Sequence, residues 1–230
     1  MSAQLRPVQT SLFVGEERSV GPLPQSVVLG DNSTLIASIA PIYLTGSVLD
    51  VTYGRGMWWR RFAPETFAHH DLVGDGVDFR NLPHADDSWD AVCFDPPYVP
   101  SRAPHTTGPG IRGDYRAAYG LKVPRTKAEL QALVADGLAE CARVSRKWVL
   151  AKCCDYAENE RTFVLGHVST ILAGEACGLR VHDLIVHAGG AGPGGARITE
   201  VRRARRAHSY LVVFAKRRRR AANSQPEPER

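Results

Sequence analysis

Six residues ahead of a double proline decide most of what this chain can be. Trp89-Asp90-Ala91-Val92-Cys93-Phe94 is a short apolar run that leads directly into Asp95-Pro96-Pro97-Tyr98. A run of this length and composition reads as a buried strand. The two prolines that follow end it, fix the backbone and remove two N–H donors. Their carbonyls stay free to accept hydrogen bonds, Asp95 adds a carboxylate acceptor, and Tyr98 adds a flat face. Such a corner complements an amino group on a planar heterocycle, which has two hydrogens to donate and a ring to stack.

A second run, Val48-Leu49-Asp50, leaves a strand Ser47–Val51 and enters Thr52-Tyr53-Gly54-Arg55-Gly56. Its two glycines let the chain turn closely around a ligand. Elsewhere the apolar spacing predicts helices over Ser33–Ile42, Lys127–Val144 and Phe163–Ala176, the last stopped by Gly178. Asp31, Asn32 or Ser33 caps the first of these. Further strands are expected at Phe67–Leu72, Lys147–Cys153, Val181–Val186 and Tyr210–Ala215. Alternating strands and helices imply a mostly parallel sheet with helices on both faces, closed by a C-terminal antiparallel hairpin. Ligands on such sheets sit beyond the carboxyl ends of the strands, where both turns emerge.

The corner and the glycine turn together resemble the DNA amino-methyltransferases, which use S-adenosylmethionine to modify adenine N6 or cytosine N4. Asp-Pro-Pro-Tyr after an apolar strand is that family's signature, and the glycine turn that follows Asp50, itself 45 residues before Asp95, resembles its cofactor loop. The resemblance covers residues 28–153 and implies a Rossmann-like class I methyltransferase fold. It implies that Asp95, Pro96, Pro97 and Tyr98 are catalytic, and that Asp50, Thr52, Gly54 and Gly56 contact the cofactor. Asp71, 21 residues past Asp50, takes the ribose role by the same resemblance, while Asp75 and Asp78 are candidates for the adenine amino group. The division of roles among these three stays open. Asp31 and Ser33, before the first helix, resemble the segment that closes over the cofactor's carboxylate; plain helix capping explains them as well. Where many relatives carry Phe and a small residue, this chain has Tyr53 and Arg55.

Charge points to a polyanionic partner. Residues 197–220 hold nine arginines and one lysine against one glutamate, a local +9 within a net charge of +5, which leaves the rest mildly acidic at −4. The basic candidates for gripping DNA, with RNA as the alternative, are Arg102, Arg112, Arg116 and Lys122 in the loop 98–125, and Arg202, Arg203, Arg205 and Arg206 in the segment 197–206. A catalytically silent nucleic-acid-binding module of the same fold is the reading from another class; intact Asp95 and Tyr98 oppose it.

The remaining expectations follow from composition. Residues 1–24 read as a flexible lead-in, 25–216 as the methyltransferase domain and 217–230 as a disordered basic tail. No stretch is long and apolar enough to span a membrane, and no export signal opens the chain. Five scattered cysteines suit reduced thiols, hence a cytoplasmic setting. His69 and His70 lack a third ligand at useful spacing, so no metal is expected. Lys152 leaves its strand near the site, and Trp58-Trp59 is expected to pack a helix after the glycine turn. Monomer and homodimer are both open.

Overall fold

Ala91, Val92, Cys93 and Phe94 are all buried, the pattern of a strand covered on both faces. In a computed structural model of the chain they form the middle of a seven-stranded sheet. The structure describes residues 24–100, 124–158, 161–189, 204 and 206–217. In chain order the strands are β1 (Val27–Leu29), β2 (Ser47–Asp50), β3 (Thr66–His69), β4 (Trp89–Phe94), β5 (Ser145–Cys153), β6 (Tyr156–Ala157), β7 (Phe163–Val164), β8 (Leu179–Ala188) and β9 (His208–Lys216). The helices described are α1 (Asn32–Tyr43), α2 (Lys127–Val144) and α3 (Gly166–Ala176), with a short 3₁₀ turn at Met57–Arg60.

The sheet runs β1-β8-β9-β5-β4-β2-β3, while β6 and β7 pair separately. Strands β3, β2, β4 and β5 are parallel neighbours; β9 runs antiparallel between β5 and β8, and β1 lies parallel along β8. The chain steps from β2 outward to β3, then returns to the other side of β2 as β4. The strand order thus reverses at the carboxyl ends of β2 and β4, the place where open α/β sheets bind ligands.

Adjacent residues along each strand serve opposite faces. Val48, Ala91, Cys93, Leu150, Leu211 and Val213 meet Leu35, Ile36 and Ile39 of α1. Leu49, Val92, Phe94, Val149, Ala151 and Phe214 meet Leu133, Leu138 and Cys141 of α2 on the other face, where Ile171 of α3 also packs. Each leucine-sized side chain buried this way contributes ~1.5–3 kcal/mol. Two caps start the helices: the Asp31 carboxylate accepts the Thr34 N–H at 2.8 Å, and the Thr126 hydroxyl accepts the Glu129 N–H at 3.1 Å.

The expected architecture is therefore present: a mostly parallel sheet with helices on both faces, closed by the antiparallel pair β8–β9. Asp31 is the cap among the three candidates. Strands β5, β8 and β9 start two residues earlier than expected, β8 and β9 also end later, and three other details differ. The strand expected at Phe67–Leu72 is Thr66–His69, because the chain turns at Asp71. The third helix starts at Gly166 rather than Phe163, since Phe163 and Val164 pair with Tyr156 and Ala157. The glycine turn leads into a 3₁₀ turn and not a longer helix. Among the described residues, no helix is long and apolar enough to cross a membrane.

Candidate active site

The glycine turn is built on Asp50, the last residue of β2, whose side chain is only 4% exposed. One carboxylate oxygen accepts the Thr52 N–H at 2.9 Å; the other accepts the Trp59 indole N–H at 2.7 Å. Burial pushes the Asp50 carboxyl up to about 7, and the nearby Asp95 adds to that, although the Trp59 and Thr52 hydrogen bonds pull the other way. Gly54 and Gly56 take φ of 54° and 65°, the left-handed region that favours glycine. A Cβ on Gly56 would lie 2.5 Å from the Tyr53 hydroxyl, so Tyr53 folds over this glycine. A Cβ on Gly54 would meet the Thr52 carbonyl oxygen at 3.9 Å, an ordinary contact.

Asp95 follows β4 and stands beside this turn. Its backbone N–H donates to the Thr52 hydroxyl at 2.7 Å, and the same hydroxyl lies 3.4 Å from Asp50 Oδ1. One Asp95 carboxylate oxygen accepts the Trp58 indole N–H at 3.0 Å; the other accepts the Tyr98 O–H. Pro96 and Pro97 are buried and Tyr98 is half-buried. Behind the prolines, between Tyr98, Val134, Lys152 and Ser169, lies a cavity of about 40 Å³. It has room for a few water molecules.

The tryptophan pair is what sequence reasoning missed. Packing is its expected role, and Trp58 is indeed only 5% exposed, but both indole N–H groups end on the site's two acids. The signal available is adjacency: two tryptophans two residues after a glycine turn.

The first turn of α1 opens at the same sheet edge. Lys152, at the end of β5 and only 5% exposed, donates to Asn32 Oδ1, and its ammonium is 6.0 Å from the Tyr98 ring centroid. Burial lowers the Lys152 pKa, while the Asp95 charge opposes that. The buried His187 places Nε2 3.0 Å from the Gly30 carbonyl, and burial lowers its pKa too. Ser33 is buried and donates to Asp31 at 2.7 Å; that bond, with those from Thr34, holds the Asp31 carboxyl well below its usual range.

Of the three acids beyond β3, Asp71 joins the glycine turn, accepting the Gly54 N–H at 3.0 Å. Asp75 lies 2.6 Å from His70 Nδ1 and accepts the Asp71 N–H. Its carboxyl is lowered to about 2: burial raises it, and the His70 hydrogen bond leads the groups that lower it. Asp78 pairs with Arg80 at 2.5 Å, and that bond lowers its carboxyl. No helix separates these residues, which brings all three within one set of turns. Of the basic candidates only Arg206 is described: it donates to the Ala204 carbonyl and sits 5.0 Å from the Phe163 ring. Arg102, Arg112, Arg116, Lys122, Arg202, Arg203 and Arg205 lie outside the described residues, as do most of the lead-in and the basic tail.

No protein-family model matches the sequence, and no curated protein matches it. Solved structures do. The fold is similar to that of a candidate methyltransferase from Bacillus halodurans (TM-score 0.47, 14% identity, 79% of this chain and 98% of that one). It is also similar to a candidate DNA modification methylase from Thermus thermophilus (0.38, 11%, 79% and 57%). A third is the magnesium protoporphyrin IX methyltransferase of Synechocystis, solved with its S-adenosylmethionine (0.44, 10%, 81% and 78%). The chain thus spans little more than half the length of the Thermus protein. The chemistry of the site rests on this chain's own residues.

Proposed function

We propose that this protein is an S-adenosylmethionine-dependent methyltransferase that modifies the exocyclic amino nitrogen of a DNA base, adenine N6 or cytosine N4. The observation that carries the reading is the junction at Thr52. It fastens the glycine turn to the Asp-Pro-Pro-Tyr corner, so a donor held by one would lie beside an acceptor held by the other.

The residues present fit the cofactor. No atom crowds the position where a Gly54 side chain would stand, so a ligand can approach the backbone there, and Asp50 lies buried at the foot of the same turn. Asp50, Thr52, Gly54 and Gly56 would hold S-adenosylmethionine, with Asp71 for the ribose hydroxyls and Asp75 or Asp78 for the adenine amine. Asp31 and Ser33, with Lys152 behind them, stand on the side proposed for its carboxylate. When bound, S-adenosylmethionine supplies a methyl group already made electrophilic by its sulfonium charge.

The corner prepares the acceptor. An aromatic amine is a weak nucleophile because its lone pair is delocalised into the ring. Asp95 and the Pro96 carbonyl accept its two N–H groups, favour a more tetrahedral nitrogen and aim the lone pair. Positioning of this kind and acceptors for a developing positive charge are the two largest sources of catalysis. The N–H proton that must leave after the new N–C bond forms is held at the Asp95 carboxylate. In a duplex the base has to leave the stack, and the Tyr98 face replaces lost stacking, ~1–3 kcal/mol per base. The basic residues of the loop 98–125 and the segment 197–206 would supply phosphate contacts, which position a strand without reading it.

Tritium from labelled S-adenosylmethionine, offered in parallel to duplex DNA, RNA and protein, tests the reading. Label in DNA supports it; label in RNA or protein alone redirects it to another substrate.

A further inference from the structure

Resting on the reading above, we infer that Trp58 is a positioning residue that decides which oxygen of Asp95 receives the substrate amine. The chain has four tryptophans. Among the described residues the buried indole N–H groups of Trp89 and Trp148 meet no acceptor, whereas those of Trp58 and Trp59 each end on a carboxylate of the site. An indole has one donor and no acceptor, so such a bond has a single direction.

The two oxygens of Asp95 differ in what holds them. Oδ2 accepts from Trp58, which packs against α1 with Leu35, Ile39 and Val48 in the core and cannot leave without opening that core. Oδ1 accepts from Tyr98, a half-buried ring on the turn that follows two prolines. A substrate N–H can replace one O–H donor at Oδ1 while the Tyr98 ring turns to stack. Nothing equivalent can displace Trp58 from Oδ2. The carboxylate is thereby fixed about its Cβ–Cγ bond, with Oδ1 turned to the substrate. Because Trp59, the next residue, holds Asp50, a single 3₁₀ turn orients both acids.

The test uses the full-length protein with labelled S-adenosylmethionine, the DNA that the wild type methylates, and S-adenosylhomocysteine as the binding probe. Losing one hydrogen bond to a charged group, W58F lowers kcat about 10- to 100-fold. Its acceptor KM and its S-adenosylhomocysteine Kd stay within about twofold of wild type, as expected when only transition-state positioning is lost. W58H, which restores an N–H donor, recovers part of kcat over W58F. A W58F kcat equal to wild type, or W58H no better than W58F, overturns the assignment. If neither variant folds, Trp58 is a packing residue and the assignment falls. A wild-type protein that neither binds S-adenosylhomocysteine nor labels DNA overturns the functional reading itself, a different outcome from an active wild type with an indifferent Trp58.

Discussion

The Thr52 hydroxyl oxygen accepts the Asp95 backbone N–H at 2.7 Å, a bond between residues 43 apart in sequence. It lies where β2 and β4, parallel neighbours, release their turns. Thr52→Val keeps the side-chain shape and removes this acceptor. Leaving the Asp95 N–H without a partner costs ~1–3 kcal/mol. Chemical unfolding should show that loss, and methyl transfer should drop about tenfold or more because the corner moves relative to the turn. A Thr52→Val protein with wild-type kcat would show that the junction is incidental.

Asp50 gives the protein a specific pH dependence. Its carboxyl titrates near 7 in the folded chain, with burial as the main cause, against an ordinary 3.8. Below about 4 both states carry the proton and the contribution is fully present. As pH rises toward 7 the unfolded chain ionises while the folded chain keeps its proton, so stability falls, by up to ~1.4 kcal/mol per pH unit. Above 7 the effect levels off. Asp50→Asn removes this slope, and urea unfolding of both proteins between pH 4.5 and 8 measures it. The wild type should lose ground to the variant as pH rises; parallel curves would contradict the assignment.

Gly137 in α2 is a packing requirement at one remove from the site. A Cβ there would lie 2.5 Å from Phe94 Cζ and 2.9 Å from Phe79. Gly137→Ala gains ~1 kcal/mol in helix propensity, which overpacking of ~1–3 kcal/mol offsets or exceeds. Phe94 precedes Asp95, so its displaced ring carries the corner with it. Methyl transfer should fall more steeply than Tm in this variant.

The long-period features were legible in the chain. Lys127–Val144 and Trp89–Phe94 have the bounds their apolar spacing indicated, because each buries a continuous face or run. The adjacency of Asp50 and Asp95 followed from two strands ending in turns at one sheet edge. β1 escaped notice: it has three residues, only the central one buried, and is defined by its pairing with β8. The roles of Trp58 and Trp59 escaped too, since adjacency shows that two indoles are near the turn but not where their N–H groups point. Lys152 was placed near the site without its burial or its Asn32 partner, both of which depend on α1 folding back over the sheet.

The proposed methylation depends first on Asp95 presenting an aromatic amine to the donor. To check that step, unmethylated DNA and S-adenosylmethionine carrying a deuterated methyl are incubated with wild type or Asp95→Ala, and the product nucleosides are identified by mass. The wild type should yield N6-methyladenine or N4-methylcytosine. Asp95→Ala should give at least about 100-fold less while binding S-adenosylhomocysteine normally, since the Thr52 junction uses only the backbone of residue 95. A carbon-methylated base, or equal labelling by Asp95→Ala, would refute the role assigned to Asp95.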